Sequence, residues 1–328
     1  MAVSEQTTHR VTLDDVVAAS ERIRELVRQT PVLSSTLFDK AAGVKTFFKC
    51  ENLQRGGAFK IRGALNFLAQ LTSEERKRGV IAYSSGNHAQ AVAIAAAHLN
   101  IHATIVMPAD APKAKRESTQ AYGPNIVPYD RQRESREEIA AAIARKTGGV
   151  TVPPYDHTWI AAGQGTAALE LLREQPDLDV LAVPLGGGGL LSGTLIAAKA
   201  LRPEIPVYGV EPELANDWYR SLASGRRIEV PNPPTLADGL RTPMPGEITF
   251  PIVRELADGV LLVSEDEIKE TVRFLLSRMK ILTEPSGAAA AAAVLHRKLP
   301  VSTGSVGVIL SGGNIDFGVL AAICGEAA

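Results

Sequence analysis

Seven apolar runs of strand length punctuate this chain, at 46–50, 80–84, 103–107, 180–184, 207–210, 260–263 and 305–310, and Ala/Leu-rich runs of helical length separate most of them. Helical segments are expected at 87–99, 163–173 and 265–279. Strand alternating with helix specifies an α/β fold built on mainly parallel sheets. Several of the strand runs are apolar at every position, the pattern of sheets covered by helices on both faces. An opening helix is read from Leu13, Val16, Val17, Ile23 and Val27, with Thr12 as its N-cap and Pro31 as its stop. The stretch 230–246 is too rich in proline for regular structure and is expected to form a loop at the mouth of a site. No internal repeat or low-complexity linker interrupts the pattern.

Charge narrows the function classes. There are 35 Lys+Arg against 36 Asp+Glu, a formal charge of −1, so the chain presents no basic field for nucleic acid or anionic lipid. Cys50 and Cys324 have no Cys or His companions at metal-ligand spacing, which argues against a disulfide framework or a zinc site and for a reducing, cytoplasmic setting. The polar first fifteen residues lack the apolar core of a signal peptide, and the longest apolar run, 288–295, is too short to cross a bilayer.

Three small-residue turns each follow an apolar strand. Ser84-Ser85-Gly86-Asn87-His88 opens a helix with no charged residue before its final histidine. Free N-terminal amides, two hydroxyls and a side-chain amide there make a receptor for a carboxylate, although the same residues also make an ordinary capped turn. Gly186-Gly187-Gly188-Gly189-Leu190 lets the backbone wrap an anion at a helix start, with phosphate as the natural guest. Gly186, Gly188 and Glu211 also roughly copy a dinucleotide-binding spacing, although such a site usually opens its domain. Ser311-Gly312-Gly313-Asn314 places a hydroxyl at a strand end, where open α/β sheets bind ligands.

A fourth element is Phe59-Lys60-Ile61-Arg62-Gly63. Lys60 stands among apolar residues at a helix start, where a cation is unfavourable beside the dipole. Partial burial would lower its pKa from about 10.4 and free the amine as a nucleophile. A nucleophilic lysine, a phosphate cradle and a carboxylate receptor together describe an amino-acid enzyme that uses pyridoxal phosphate (PLP).

These four motifs, in this order across nearly the whole chain, resemble the fold-type II PLP enzymes of the threonine/serine dehydratase and serine racemase family. The resemblance implies a tryptophan synthase β-like α/β fold of two open, mainly parallel twisted sheets covered by helices. It implies a large PLP-binding domain from 1–78 and 155–328 and a small domain from 79–154. By resemblance, Lys60 forms the internal aldimine, Phe59 packs on the ring and Asn87 contacts its 3-hydroxyl. Gly186, Gly187, Gly188, Gly189 and Leu190 hold the phosphate, and Glu284 lies near the ring. Ser84, Ser85, Asn87 and His88 surround the substrate carboxylate. Arg136 matches a racemase arginine near the substrate and equally suits a solvated helix face. Glu211, the Ala215 carbonyl and Asp217 match a divalent-cation loop for Mg²⁺ or Ca²⁺. A homodimer acting on a small amino acid is expected, without a C-terminal regulatory domain in these 328 residues.

Ser311 matches the family serine that meets the pyridine nitrogen. A neutral partner leaves that nitrogen largely unprotonated, so a short-lived Cα carbanion should expel a β-hydroxyl or be reprotonated. In this scheme Lys60 removes the Cα proton, the β-hydroxyl leaves with help from the PLP phosphate, and the enamine hydrolyses to a 2-oxo acid and ammonia. Ser85 is the discriminating position: dedicated threonine dehydratases resemble SAGNHAQ, with alanine there. A hydroxyl opposite Lys60 can serve as a second acid/base and open a route to the D-amino acid. Side-chain preference among serine, threonine and 3-hydroxyaspartate is not legible from these motifs. A nicotinamide oxidoreductase and an amino-acid sensor are the competing classes.

Overall fold

The computed structural model describes residues 10–111, 113–300 and 304–325; the polar segment 1–9 lies outside the described residues. The opening helix is Leu13–Ile23; Thr12 caps it as expected, reciprocally with Asp15, but the helix ends at Ile23 and gives way to turns before Val27, short of the expected stop at Pro31. Ten strands among the described residues form two sheets. The first six in chain order are β1 (Val32–Ser34), β2 (Lys45–Cys50), β3 (Val80–Tyr83), β4 (Ala103–Pro108), β5 (Asn125–Tyr129) and β6 (Val150–Thr151). They are followed by β7 (Val180–Pro184), β8 (Val207–Pro212), β9 (Gly259–Val263) and β10 (Ser305–Leu310).

The six-stranded sheet has the order β1-β2-β10-β7-β8-β9 and is parallel except for β1, which runs antiparallel to β2. The four-stranded sheet, β5-β4-β3-β6, is parallel throughout. Both are covered by helices, as the apolar strands require: every residue of β4 and of β7 is buried. The helix Pro285–Leu295, six of whose eleven residues are alanine, packs against β7, β8 and β10, where small side chains let it sit close to the sheet.

Three strands were not expected. β1 and β6 span three and two residues, too short for a two-residue period to register. β5 contains Pro128, which a central strand rejects and an edge strand accepts, and β5 is an edge of its sheet. The helix expected over 265–279 is α-helical only to Phe274 and then passes through a π turn, Leu275–Met279, before Lys280 turns left-handed at φ 60°. The proline-rich stretch is irregular apart from one 3₁₀ turn, Asp238–Leu240. No described helix is long and apolar enough to cross a membrane.

Candidate active site

Lys60 opens the helix Lys60–Ala69, with Phe59 as its cap residue. The segment before it is laced to the turn after β10: the Phe59 N–H donates to the Ser311 carbonyl at 3.1 Å and the Gly313 N–H to the Gly57 carbonyl at 2.8 Å. A third loop joins them, because the Glu284 N–H donates to the Gly312 carbonyl at 3.1 Å. Three segments far apart in sequence therefore share one rigid patch.

Behind Lys60 lies a knot of charge. Arg62, wholly buried, donates to both oxygens of Glu51 at 2.7 and 2.8 Å and to both of Glu170 at 2.7 and 2.8 Å. Buried Lys49 pairs with Glu170 at 2.6 Å. Each buried charge is met by an opposite one, the condition under which such groups are tolerated inside a protein. The knot fixes the first turn of the helix that carries Lys60.

One cleft of about 220 Å³ collects the residues singled out above. Lys60, Phe59, Ser84, Ser85, Asn87, His88 and Arg136 line it, together with Gly186 to Gly189, Leu190, Glu284 and Ser311. A larger cavity of about 630 Å³, near Arg10, Trp159 and Pro251, contains none of them. The cleft lies at the carboxyl ends of β3, β7 and β10, the edge at which open α/β sheets bind ligands. Tyr83, at the head of the Ser84–His88 motif but given no role there, also lines it, as does Tyr155, which no sequence motif announced. Glu211, Ala215 and Asp217 are absent from its lining: Glu211 lies near the end of β8, Ala215 ends the 3₁₀ turn that follows, and Asp217 opens the helix Asp217–Ser224.

The Lys60 amine donates to the Pro154 carbonyl at 2.8 Å, and burial pushes its pKa down to about 8 against the opposing pull of Glu284. Burial, reinforced by Asp238, raises the Glu284 carboxyl to about 8, so it is largely protonated at neutral pH. Burial and then the Lys60 charge push His88 down to about 3, and its Nε2 lies 3.0 Å from the Val152 carbonyl. The neutral ring thus donates from Nε2 and keeps only an acceptor nitrogen, so a hydrogen bond from His88 to a carboxylate must come from its backbone N–H. At Gly86 a Cβ would meet nothing within 4 Å, so the Ser84–Asn87 loop borders open space. Arg136 stands over the Tyr83 ring, 5.7 Å from its centre, and donates to Glu137 at 2.7 Å.

The tetraglycine turn shows why glycine is needed. A Cβ on Gly187 would fall 2.2 Å from the Tyr155 ring; one on Gly188, whose φ is +93°, would fall 2.5 Å from Trp218. The Gly186 carbonyl accepts from the Trp218 indole N–H, and the Gly187 carbonyl accepts from Thr249 Oγ1 at 2.8 Å. In a trans peptide the N–H points opposite to the carbonyl it is joined to. The N–H groups of Gly187 and Gly188 therefore point away from Trp218 and Thr249, to the cleft side, at the start of the helix Gly189–Leu201. Oriented amides at a helix start suit a phosphate, and a flat apolar ring, a depressed amine and a neutral hydroxyl stand around the same space. The donor set fits PLP.

The comparisons agree with that fit. The family described as "Pyridoxal-phosphate dependent enzyme" matches residues 23–312. This chain belongs to that family of enzymes. It is 49% identical over 306 residues to the L-threo-3-hydroxyaspartate ammonia-lyase of Saccharomyces cerevisiae, covering 93% of this chain and 94% of that protein. It is 48% identical to the serine racemase of Schizosaccharomyces pombe, covering 93% and 95%. The crystal structure of T.th. threonine deaminase superposes with a TM-score of 0.87 at 45% identity, covering 93% of this chain and 99% of that one. The fold class is that of the fold-type II PLP enzymes, and the dinucleotide and sensor readings fall away.

Tyr155, Trp218 and Thr249 went unread in the sequence because each acts on a glycine 30 or more residues away. Asp156 belongs with them: its carboxylate accepts N–H bonds from Glu247, Ile248 and Thr249 at 2.8 to 3.2 Å and so holds Thr249 against the glycine turn.

Proposed function

We propose that this enzyme removes water and ammonia from L-serine and L-threonine to give a 2-oxo acid, with serine racemase activity at the same site. The observation that carries the reading is the meeting of the Lys60 amine, depressed to about 8, with the cleft-side amides of Gly187 and Gly188 in one cavity. PLP, when bound, supplies an electron sink that makes the Cα proton of an amino acid removable.

The roles fall to this chain's residues as follows. Lys60 would hold the cofactor through its amine and would serve as the base for the Cα proton, with a pKa near the working pH. Gly187, Gly188 and Gly189 hold the phosphate through backbone N–H groups, with Gly186 and Leu190 completing the turn. With PLP bound, Phe59 would pack on the ring, Ser311 would offer its hydroxyl to the ring nitrogen, and Asn87 would meet the 3-hydroxyl. Ser84, Ser85, Asn87 and the His88 backbone orient the substrate carboxylate beside the open space at Gly86. Ser85 donates a proton to the face opposite Lys60, which yields the D-enantiomer.

A second reading, action on 3-hydroxyaspartate, is favoured by Arg136 and Lys115, two further cations that line the cleft and suit a second carboxylate. The Saccharomyces cerevisiae relative supports it, as the Schizosaccharomyces pombe relative supports the racemase as principal activity.

We further assign a divalent cation, Mg²⁺ or Ca²⁺, to Glu211, the Ala215 carbonyl and Asp217. Among the described residues no three His, Cys, Asp or Glu side chains cluster, so this site rests on two carboxylates and a carbonyl. Burial, and then Asp217, raises the Glu211 carboxyl well above its usual range; burial raises Asp217 to about 8. Asp217 Oδ2 is buried without a hydrogen-bond partner, which a cation would supply. A small domain of 79–154 is supported by the separate sheet β3 to β6, with 1–78 and 155–328 forming the large one. A homodimer and a cytoplasmic setting complete the reading; both described cysteines are free thiols, in keeping with a reducing compartment.

The test is borohydride reduction followed by peptide mapping. The reading expects a pyridoxyl group on the peptide containing Lys60 and no visible cofactor band in Lys60→Ala; a label elsewhere, or a band that persists in the variant, refutes it.

A further inference from the structure

Two groups that the sequence treats as unrelated, the carboxylates at the end of β8 and the glycine turn at the end of β7, are joined through one side chain. β7 and β8 are neighbours, paired at Pro184 and Val210, so both loops leave the same edge of the sheet. Trp218 stands between them, wholly buried, directly after Asp217. Its backbone N–H donates to Glu211 Oε2 at 3.2 Å, and the next N–H, of Tyr219, donates to Glu211 Oε1 at 2.7 Å. Its indole N–H donates to the Gly186 carbonyl, and its ring fills the place of a Cβ on Gly188. The ring is held from behind by Phe250, 6.0 Å away centre to centre.

The carboxylate end of this chain of contacts is incomplete as it stands. Glu211 and Asp217 are 0% and 1% exposed, and Asp217 Oδ2 has no hydrogen-bond partner. Two buried carboxylates beside each other repel unless a proton or a cation lies between them. A cation held there by Asp217 and Glu211 would relieve that repulsion and would steady the first turn of the helix Asp217–Ser224, which carries Trp218.

We propose that Trp218 is a positioning residue that couples the divalent-cation site at Glu211 and Asp217 to the phosphate cradle, so that the cation tightens PLP binding and PLP tightens cation binding. The inference rests on the PLP reading of the cleft. The link is specific: the indole N–H sets the direction of the Gly186 carbonyl, and peptide planarity then sets the Gly187 N–H offered to the phosphate. Coupling between two sites is reciprocal and typically amounts to about 5- to 150-fold in affinity. Thr249 provides the internal contrast. It holds the adjoining Gly187 carbonyl, yet its hydrogen bonds run to Asp156 and to the turn and to neither carboxylate.

The experiment uses holoenzyme serially diluted in EDTA, Mg²⁺ or Ca²⁺. Retained PLP gives the dissociation constant, and the ³¹P resonance of the bound phosphate reports the cradle directly. For the wild-type protein the constant should fall about 5-fold or more with cation, and the resonance should move when EDTA is added. In Trp218→Phe, which keeps a buried ring and loses the N–H, the ratio should approach one. In Thr249→Val, PLP should bind more weakly with the wild-type ratio preserved. A wild-type protein whose PLP affinity and ³¹P resonance ignore both cations overturns the coupling, and so does a Trp218→Phe variant that keeps the full ratio. Because the wild-type comparison stands alone, a variant that fails to fold leaves the test intact. Failure of the wild-type protein to hold PLP under any condition overturns the cofactor reading itself, and this inference with it.

Discussion

The side-chain amide of Asn87 donates to the Glu284 carboxyl at 2.7 Å, across a separation of 197 residues. The other end of the same amide accepts from Asn314 Nδ2 at 2.8 Å, and Asn314 also donates to the Gly56 carbonyl at 2.7 Å. With both ends engaged, the orientation of Asn87 is fixed, and its second N–H hydrogen is left free.

This relationship makes the Glu284 carboxyl an acceptor whose charge is not required. Glu284→Gln should keep the Asn87 bond and hold PLP within about twofold of wild type, whereas Glu284→Ala should cost about 1 kcal/mol of stability by leaving a part-buried donor without its acceptor. The carboxyl is raised above its unfolded value, so wild-type stability is lost as pH climbs from about 4.5 to about 8. Urea unfolding should therefore show Glu284→Gln gaining on wild type between pH 5 and pH 8. A constant difference would contradict the raised pKa.

Attachment of PLP to Lys60 should depend on pH in a way set by burial. The neutral amine is the nucleophile, so the initial rate of reconstitution should fall as pH drops below about 8 and level off above it, rather than climbing toward 10.4. His88, pushed down to about 3, should add no inflection near 6.5. Stopped-flow absorbance across pH 6 to 10 reads both.

The glycine turn is shaped by the protein as much as by its guest. Gly187→Ala would set a Cβ against the Tyr155 ring and should cost about 1–3 kcal/mol of stability along with PLP affinity. Adding Tyr155→Ala should recover part of the stability, since it removes the atoms in the way. Thermal denaturation of the single and double variants, with no recovery in the double, would show that the clash lies elsewhere.

On the proposed reading, Ser85 should separate the two activities. Ser85→Ala should lose racemisation and action on D-serine while retaining elimination from L-serine, because only the second proton donor is gone. Chiral analysis of product from L-serine settles it: unchanged D-serine output removes Ser85 from that role.

Much of this site was legible because its motifs are local. A strand followed by small residues announces a turn at a sheet edge, and the Ser84 to His88 loop, Gly186 to Gly189 and Ser311 were found this way; Lys60 was found as a cation among apolar residues at a helix start, and all of them line one cleft. What stayed hidden is what holds those turns in place. Arg62, Lys49 and Glu51 drew no role from the sequence and are buried, because only the fold brings Glu170 to Arg62 and Lys49. Tyr155, Trp218 and Thr249 act through contacts that no spacing encodes. The short strands β1 and β6 exist because β2 and β3 offer them backbone partners, not because of their own pattern.

The most direct test of the central claim is one reaction: holoenzyme with L-serine and Mg²⁺, with pyruvate and D-serine quantified from the same tube. The account predicts both products, in a ratio that Ser85→Ala shifts wholly to pyruvate, and neither product from Lys60→Ala. Silence with L-serine, L-threonine and 3-hydroxyaspartate alike, in protein that holds PLP on Lys60, would contradict it.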